Sequence, residues 1–439
     1  MPGRGAGWAG LGNRWPRVHY TAVTVPECYQ TVAPAQGAEL PKMTELLLAL
    51  VMIPMALPAL SLLVLTLAAL WPARPDGFPG DTPGTAPVRV AVLVPAHNES
   101  VHVLPTITSL RAQLGPADRL LVVADNCTDD TAELARNAGA QVLERHNTEL
   151  RGKGYALAFG VDHLRADPPD VVLVVDADCV LSEGALARIG QLCRASARPV
   201  QMLNLMAAGP HANLRLRVLE FAMLMKNLVR PLGTYRLGRA CHLMGTGMAL
   251  PWALASTARL ATGHVAEDME LGVALAVAGH APRFLAQARV SSAFPLDTAA
   301  AKVQKSRWEH GHLATLSQQL PGLLRAAARS GDAALIVMAM DLLVPPVALY
   351  FLVLLATAAG SLGAAWLWPI WHAAAAIAVA ACVCLALAIG LTWLRFGRHL
   401  LSARELLTTP LYALWKLPVY LAYFMKRRSG WVRTKRDSE

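Results

Sequence analysis

An α/β domain on a mostly parallel, doubly wound sheet, joined to apolar helices able to cross a bilayer, is the architecture this sequence predicts. Three observations carry it. Strand-like and helix-like stretches alternate between residues 88 and about 331, the mark of a parallel sheet with helical crossovers. Apolar runs longer than the roughly 20 residues that span a membrane lie outside that block. Inside it, strand-like runs end in acidic and amide residues, and open α/β sheets bind ligands beyond the carboxyl ends of their strands.

The bulk properties narrow the class. Of 439 residues, 54% are hydrophobic and only 16% charged, too apolar for an ordinary soluble protein. The net charge of +10 has no basic stripe interleaved with aromatics, so nucleic acid is not an expected partner. An anionic membrane surface is. The seven cysteines (Cys28, Cys127, Cys179, Cys193, Cys241, Cys382 and Cys384) show no zinc or disulfide spacing and read as small buried hydrophobes.

In chain order, residues 1–42 read as a disordered leader or an over-extended reading frame ahead of Met43. Residues 44–71 read as a transmembrane helix, despite Pro54 and Pro58, which membrane neighbours tolerate. A Pro/Gly linker covers 72–87. Strands are expected at 88–94, 119–123, 140–144 and 171–175, with helices at 103–114, 131–138 and 155–164. Residues 214–229 carry apolar residues at helical spacing. That stretch is either core-packed or laid on the membrane interface. Apolar runs at 333–359 and 363–394 read as a transmembrane hairpin turning at 360–362. The segment 405–425, flanked by basic residues on both sides, reads as interfacial or transmembrane, and 426–439 as a basic tail. The positive-inside rule puts that tail, and with it the block 88–331, in the cytoplasm. Multi-pass residence in a bacterial-type plasma (inner) membrane is the localisation expected. Asp341, inside an apolar run, is either functional or turned to the bundle interior.

Four clusters line up along the block. Pro95, Asn98, Glu99 and Asp125 follow the first two strands. Asp176 and Asp178 follow the fourth, where an extended chain would turn both the same way and two carboxylates could hold a hard cation. Gly245 and Thr246 precede Glu267 and Asp268. Gln304, Arg307 and Trp308 share one helix face. Taken singly, each is ordinary: Asp-x-Asp is common turn chemistry, and Glu-Asp suits a helix start. The sequence lacks the Gly-x-x-x-x-Gly-Lys-Ser/Thr phosphate loop of an ATPase.

Taken together, Asp-x-Asp, Glu-Asp and Gln-x-x-Arg-Trp in this order, flanked by membrane helices, resemble the membrane-integrated family 2 glycosyltransferases, the group of cellulose and hyaluronan synthases. The resemblance covers about 88–312. Ala266 stands where the family usually has Thr, and Ala124 where many members carry a further Asp. The latter leaves the uracil contact open.

The resemblance implies a GT-A fold and an inverting transfer from a nucleotide-sugar, most naturally a UDP-sugar, to a glycan or lipid-linked acceptor. It implies Asp268 as general base, oriented by Glu267. Pro95, Asn98, Glu99, Asp125 and Lys153 would bind the donor. Asp178 and Asp176 would also bind it, through Mg²⁺ or Mn²⁺. Gln304, Arg307, Trp308, Gly245 and Thr246 would meet diphosphate and acceptor. Membrane lipids, an export partner or a further copy of the chain are the other expected partners. The rival reading is a non-catalytic membrane scaffold on the same domain.

Overall fold

Strand β1 (Val90–Ala96) is the centre from which the sheet grows in the computed structural model. The structure describes residues 36–72, 87–209, 211–263, 266–294 and 298–415. The expected leader up to residue 35, the tail 426–439 and residues 416–425 therefore lie outside the described residues.

An apolar helix α1 (Gln36–Leu70) precedes β1. After it come α2 (Val103–Arg111), β2 (Arg119–Asp125), α3 (Thr131–Asn137), β3 (Gln141–Arg145), α4 (Lys153–Leu164) and β4 (Val171–Val174). Strands β1, β2, β3 and β4 pair in parallel. Then follow β5 (Val180–Leu181), α5 (Ala185–Ser196), β6 (Val200–Ala207), α6 (Leu214–Leu224), a π-turn (Met225–Val229) and α7 (Arg230–Gly238). The rest of the domain comprises β7 (Met248–Pro251), α8 (Trp252–Ala255), α9 (Glu267–Val277), β8 (Arg283–Ala293) and α10 (Thr298–Ser330). The eight strands lie in the order β3-β2-β1-β4-β7-β6-β8-β5. Strand β7 runs antiparallel to both neighbours, while β6 and β8 are parallel. The sheet is thus mostly parallel, as the alternation of elements implied.

Strands β1 and β4 are apolar throughout because both faces are covered. Val90, Val92 and Val94 pack with Ile107, Leu110 and Ile189 from α2 and α5. Their alternates Ala91 and Leu93 pack with Leu157, Val161 and Leu271 from α4 and α9.

The C-terminal part holds α11 (Ala333–Leu343), α12 (Val347–Leu367), α13 (His372–Thr392) and α14 (Ala403–Trp415). Among the described residues, three helical stretches are long and apolar enough to cross a membrane: Lys42–Leu70, Val347–Leu367 and Pro369–Gly397. The helix breaks differ from those expected. Helix α12 runs straight through 360–362, and the hairpin turns at Trp368–Trp371. The first run is interrupted at Pro345-Pro346, as its two successive residues without an N–H donor imply. Gly and Ser amid apolar neighbours do not stop a helix there. Helix α14 covers the described part of the segment 405–425.

Residues 214–229 resolve toward core packing. They run on through the π-turn into α7, and Phe221 and Met225 are buried against Ala59 and Leu62 of α1. The domain grips α1 closely. A Cβ on Gly233 of α7 would sit 2.2 Å from the Leu65 carbonyl oxygen, so only glycine permits this approach. Arg236 donates to the Ala68 and Ala69 carbonyls at the end of α1.

Asp341 turns inward. Its Oδ1 accepts from Arg230 Nε at 2.5 Å, and its backbone carbonyl accepts from Arg230 Nη2 at 2.6 Å. Both side chains are nearly buried, 11% and 6% exposed, so removing one leaves a charge stranded. Asp341→Asn should cost about 3–5 kcal/mol, read as thermal unfolding of the detergent-solubilised chain. The double replacement Arg230→Met with Asp341→Leu should recover most of it.

Candidate active site

The parallel strands bring their carboxyl ends to one edge of the sheet, and the loops beyond them line a cleft of about 890 Å³. Strand β7 adds to the same edge for the opposite reason. Being antiparallel to β4, it begins where β4 ends: Met248 faces Val174, and Gly247 N donates to Val174 O at 2.8 Å. That pairing seats Gly245-Thr246-Gly247 against the Asp176 turn.

Beyond β1, Asn98 takes a left-handed φ of 53°. Its side chain clips the β2 loop, donating to Thr128 Oγ1 and accepting from Thr128 N at 3.0 and 2.7 Å. Asn98 therefore ties two loops together at the rim. Pro95 lies within β1, and Pro95 and Glu99 both line the cleft. Asp125 closes β2 and pairs with Arg145 Nη1 at 2.6 Å. The parallel register sets Asp125 beside Arg145. Arg145 escaped the motif reading, although the strand-end register is the signal that finds it.

The strand-end carboxylates differ from the extended-chain expectation. Strand β4 stops at Val174, and Cys179 N donates to Asp176 O at 3.1 Å. Asp176–Cys179 is thus a turn. The turn still gathers carboxylate oxygens of Asp176 and Asp178 and the thiol of Cys179 within 4.8 Å of one another. Burial pushes the Cys179 thiol well up, so it stays protonated. Two hard carboxylates remain, which fit a hard divalent cation and not a soft one.

Lys153 opens helix α4, two residues before the expected start. Its ammonium pairs with Asp176 and donates to Gly245 O at 2.8 Å. Burial opposes that charge, but Asp176, Glu267 and Asp268 outweigh it and hold the amine above its ordinary value. Thr246 lines the cleft, and its Oγ1 accepts from Asp176 N at 3.0 Å. It shapes the turn. Its loop rests on buried Gln201, whose Nε2 donates to Thr246 O and whose Oε1 accepts from Met244 N, each at 2.8 Å. Gln201 carries no sequence signal, since an amide inside a strand is ambiguous.

Helix α9 begins with Glu267 and Asp268. Glu267 Oε2 accepts from Gly154 N at 2.9 Å, and a Cβ on Gly154 would sit 2.7 Å from that oxygen. Asp268 stands across the cleft from the Asp176 turn. A Cβ on Gly245 would lie 3.2 Å from its Oδ2 and 3.5 Å from Lys153 Nζ. Burial raises the pKa of Asp268, with Lys153 pulling the other way. For Glu267 burial also wins, lifting its carboxyl to about 8.

Eleven of the fourteen residues singled out in the sequence line this one cleft. The side chains of Gln304, Arg307 and Trp308 lie outside the described residues. Their helix α10 reaches the cleft at Gly311 and His312. There, His312 Nε2 contacts Val344 O at 2.9 Å.

A carboxylate facing an acidic turn across a lysine, at the carboxyl edge of a mostly parallel sheet, defines a class of group-transfer site. Residues 87–311 match the glycosyltransferase like family 2. That is just over half of the chain, and the chain belongs to this family. The 4,4'-diaponeurosporenoate glycosyltransferase of Staphylococcus haemolyticus is 27% identical over 205 residues, covering 44% of this chain and 52% of that protein. An uncharacterised glycosyltransferase of Mycobacterium bovis is 36% identical over 100 residues, 23% of this chain and 41% of that one. The chain thus spans about half or less of these relatives' length. Among solved structures, the mannosyltransferase PcManGT from Pyrobaculum calidifontis, in complex with GDP-Man and Mn²⁺, superposes with a TM-score of 0.49 and 19% identity. The match covers 79% of this chain and 99% of that one.

The raised Glu267 carboxyl fixes a pH dependence. Between pH 4.5 and about 8 the folded chain holds a proton that the unfolded chain has lost, so stability falls as pH rises. Glu267→Gln keeps an acceptor for Gly154 N without the titration. Its melting temperature should therefore vary less than the wild type's across that window.

Proposed function

We propose that the chain is an inverting glycosyltransferase that moves a sugar from a nucleoside diphosphate donor, most naturally a UDP-sugar, to a glycan or lipid-linked acceptor. The observation that carries this is Asp268 facing Asp176 and Asp178 across one cleft, in a chain of family 2.

The roles follow from chemistry. Asp268 takes the proton from the acceptor hydroxyl as that oxygen attacks the anomeric carbon, opposite the leaving diphosphate. Its raised pKa makes it a stronger base than an exposed carboxylate. Glu267 fixes the start of α4 through Gly154 and thereby aims Lys153. Lys153 lies where a diphosphate would meet Asp176, as a point charge on the leaving group. Asp178, with Asp176, would hold Mg²⁺ or Mn²⁺, which when bound offsets the negative charge of the diphosphate. Pro95, Asn98, Glu99 and Asp125 line the far end of the cleft, where the nucleoside would bind. Arg307, Gln304 and Trp308 are proposed to reach diphosphate and acceptor from α10.

The membrane setting is part of the proposal. Leu46, Leu50, Val51 and Leu57 expose apolar surface along α1, and Trp366 and Trp368 are exposed at the α12–α13 turn. Tryptophans there suit one membrane interface. Arg395, Arg398 and Arg404 sit at the other end of α13, which suits a cytoplasmic domain. The boundaries supported are one helix ahead of the domain, the domain itself to about residue 331, and the α12–α13 hairpin after it.

Asp268→Asn should lower sugar transfer by about 10²–10⁴-fold while nucleoside diphosphate binding persists. Asp178→Ala should lose the divalent-dependent part of that binding. Membranes incubated with a panel of labelled nucleotide-sugars, with and without EDTA, test both. Full transfer by either variant overturns the assignment.

A further inference from the structure

Beyond Asp268 the cleft continues toward the membrane helices, and the residues there have no role in the reading above. They come largely from one helix face. Met223, Lys226, Asn227, Arg230 and Pro231 all line the cleft, at the i, i+3, i+4, i+7, i+8 spacing of a single stripe across the π-turn. The same helical segment packs on α1 through Phe221 and Met225.

Two features of this deep end point to a ligand. The first is a set of buried acceptor atoms without partners. Asn204 Oδ1, Asn227 Oδ1 and His242 Nδ1 are all unsatisfied, on residues only 9%, 2% and 5% exposed. Such atoms are costly unless something fills them. The tautomer of His242 follows from its other nitrogen. Nε2 lies 3.0 Å from Met338 O and so carries the proton, which leaves Nδ1 an acceptor. All three residues line the cleft, and an unmet acceptor there calls for a hydroxyl or amide donor.

The second feature is the cation. Arg230 is consumed by Asp341. Lys226, one turn away, makes no hydrogen bond or ion pair among the described residues, yet its ammonium faces the cleft and acts electrostatically on Asp268. Met206, Met223 and Met244 complete the wall, a soft apolar surface that adapts to irregular chains.

We infer that this deep end is the acceptor subsite, shaped for an amphiphile that carries hydroxyl groups and one anionic group, with Lys226 as the anion's contact. The inference rests on the glycosyltransferase reading and narrows it: the acceptor is an anionic amphiphile rather than a neutral glycan. A phosphate or a carboxylate supplies the same chemistry.

The test uses the full chain in phosphatidylcholine nanodiscs, with Mn²⁺ and saturating UDP filling the donor half. Dodecyl phosphate and dodecanoate are titrated calorimetrically, with dodecanol and inorganic phosphate as separate arms. Saturable binding of at least one anionic amphiphile is expected, at least about tenfold tighter than dodecanol and tighter than inorganic phosphate. Lys226→Met should weaken that binding by about tenfold or more, Lys226→Arg should keep most of it, and UDP affinity should stay put in both. Unchanged amphiphile binding in Lys226→Met overturns the inference. So does an equal loss of UDP binding, which would make Lys226 a donor contact. Inorganic phosphate binding as tightly as dodecyl phosphate overturns the amphiphile part. A wild type that binds the amphiphile but neither UDP nor GDP would instead sink the glycosyltransferase reading and leave the subsite standing.

Discussion

The antiparallel seat of β7 against β4 is the constraint on which the site depends. Strands β1, β2 and β4 are parallel and deliver only their ends to the cleft edge. One reversed strand delivers a beginning to that edge, and with it the Gly245–Gly247 loop. Only that loop lets Lys153 reach a backbone carbonyl while pairing with Asp176. It also lets Asp268 approach from the other side without a Cβ in the way. Gly247, at a φ of 63°, is hemmed in by Met202 and Val290, so the loop is pinned from beneath as well.

Charge organises what the backbone positions. Lys153 stands among Asp176, Glu267 and Asp268. One cation among three carboxylates cannot satisfy all of them. The excess negative charge has two physical outlets, protonation and a bound cation. The carboxyls of Glu267 and Asp268, raised chiefly by burial, favour the first outlet, and the Asp176–Asp178 turn offers the second.

Much of this was legible in the residues. The alternation of apolar runs marked the doubly covered sheet, and the strand-end polar residues marked the cleft, because parallel topology converts sequence order into spatial convergence. What stayed hidden has physical reasons. A turn gathers Asp176 and Asp178 where an extended chain was expected, since side-chain direction depends on where the strand stops. The hairpin turn near Trp368 was misplaced because Gly360 and Ser361 drew the expected break, whereas Pro369, directly after the C-cap of α12, marks the real one. Arg145 and Gln201 were missed because their partners are distant in sequence. Nothing in the residues themselves separates Lys226 from Arg230. Their separation into an unpaired and a paired cation depends on Asp341, more than a hundred residues away.

The contact of Gly233 with Leu65, together with Arg236 on the final carbonyls of α1, fixes more than packing. It denies α1 any sliding along its own axis relative to the domain. On the membrane setting proposed above, the height of the cleft over the lipid surface then follows the position of α1. In that setting a bilayer thinner than the apolar length of α1 is met by tilting, and the domain rocks with the helix. The cleft mouth then changes its angle to the lipid surface rather than its distance along the helix.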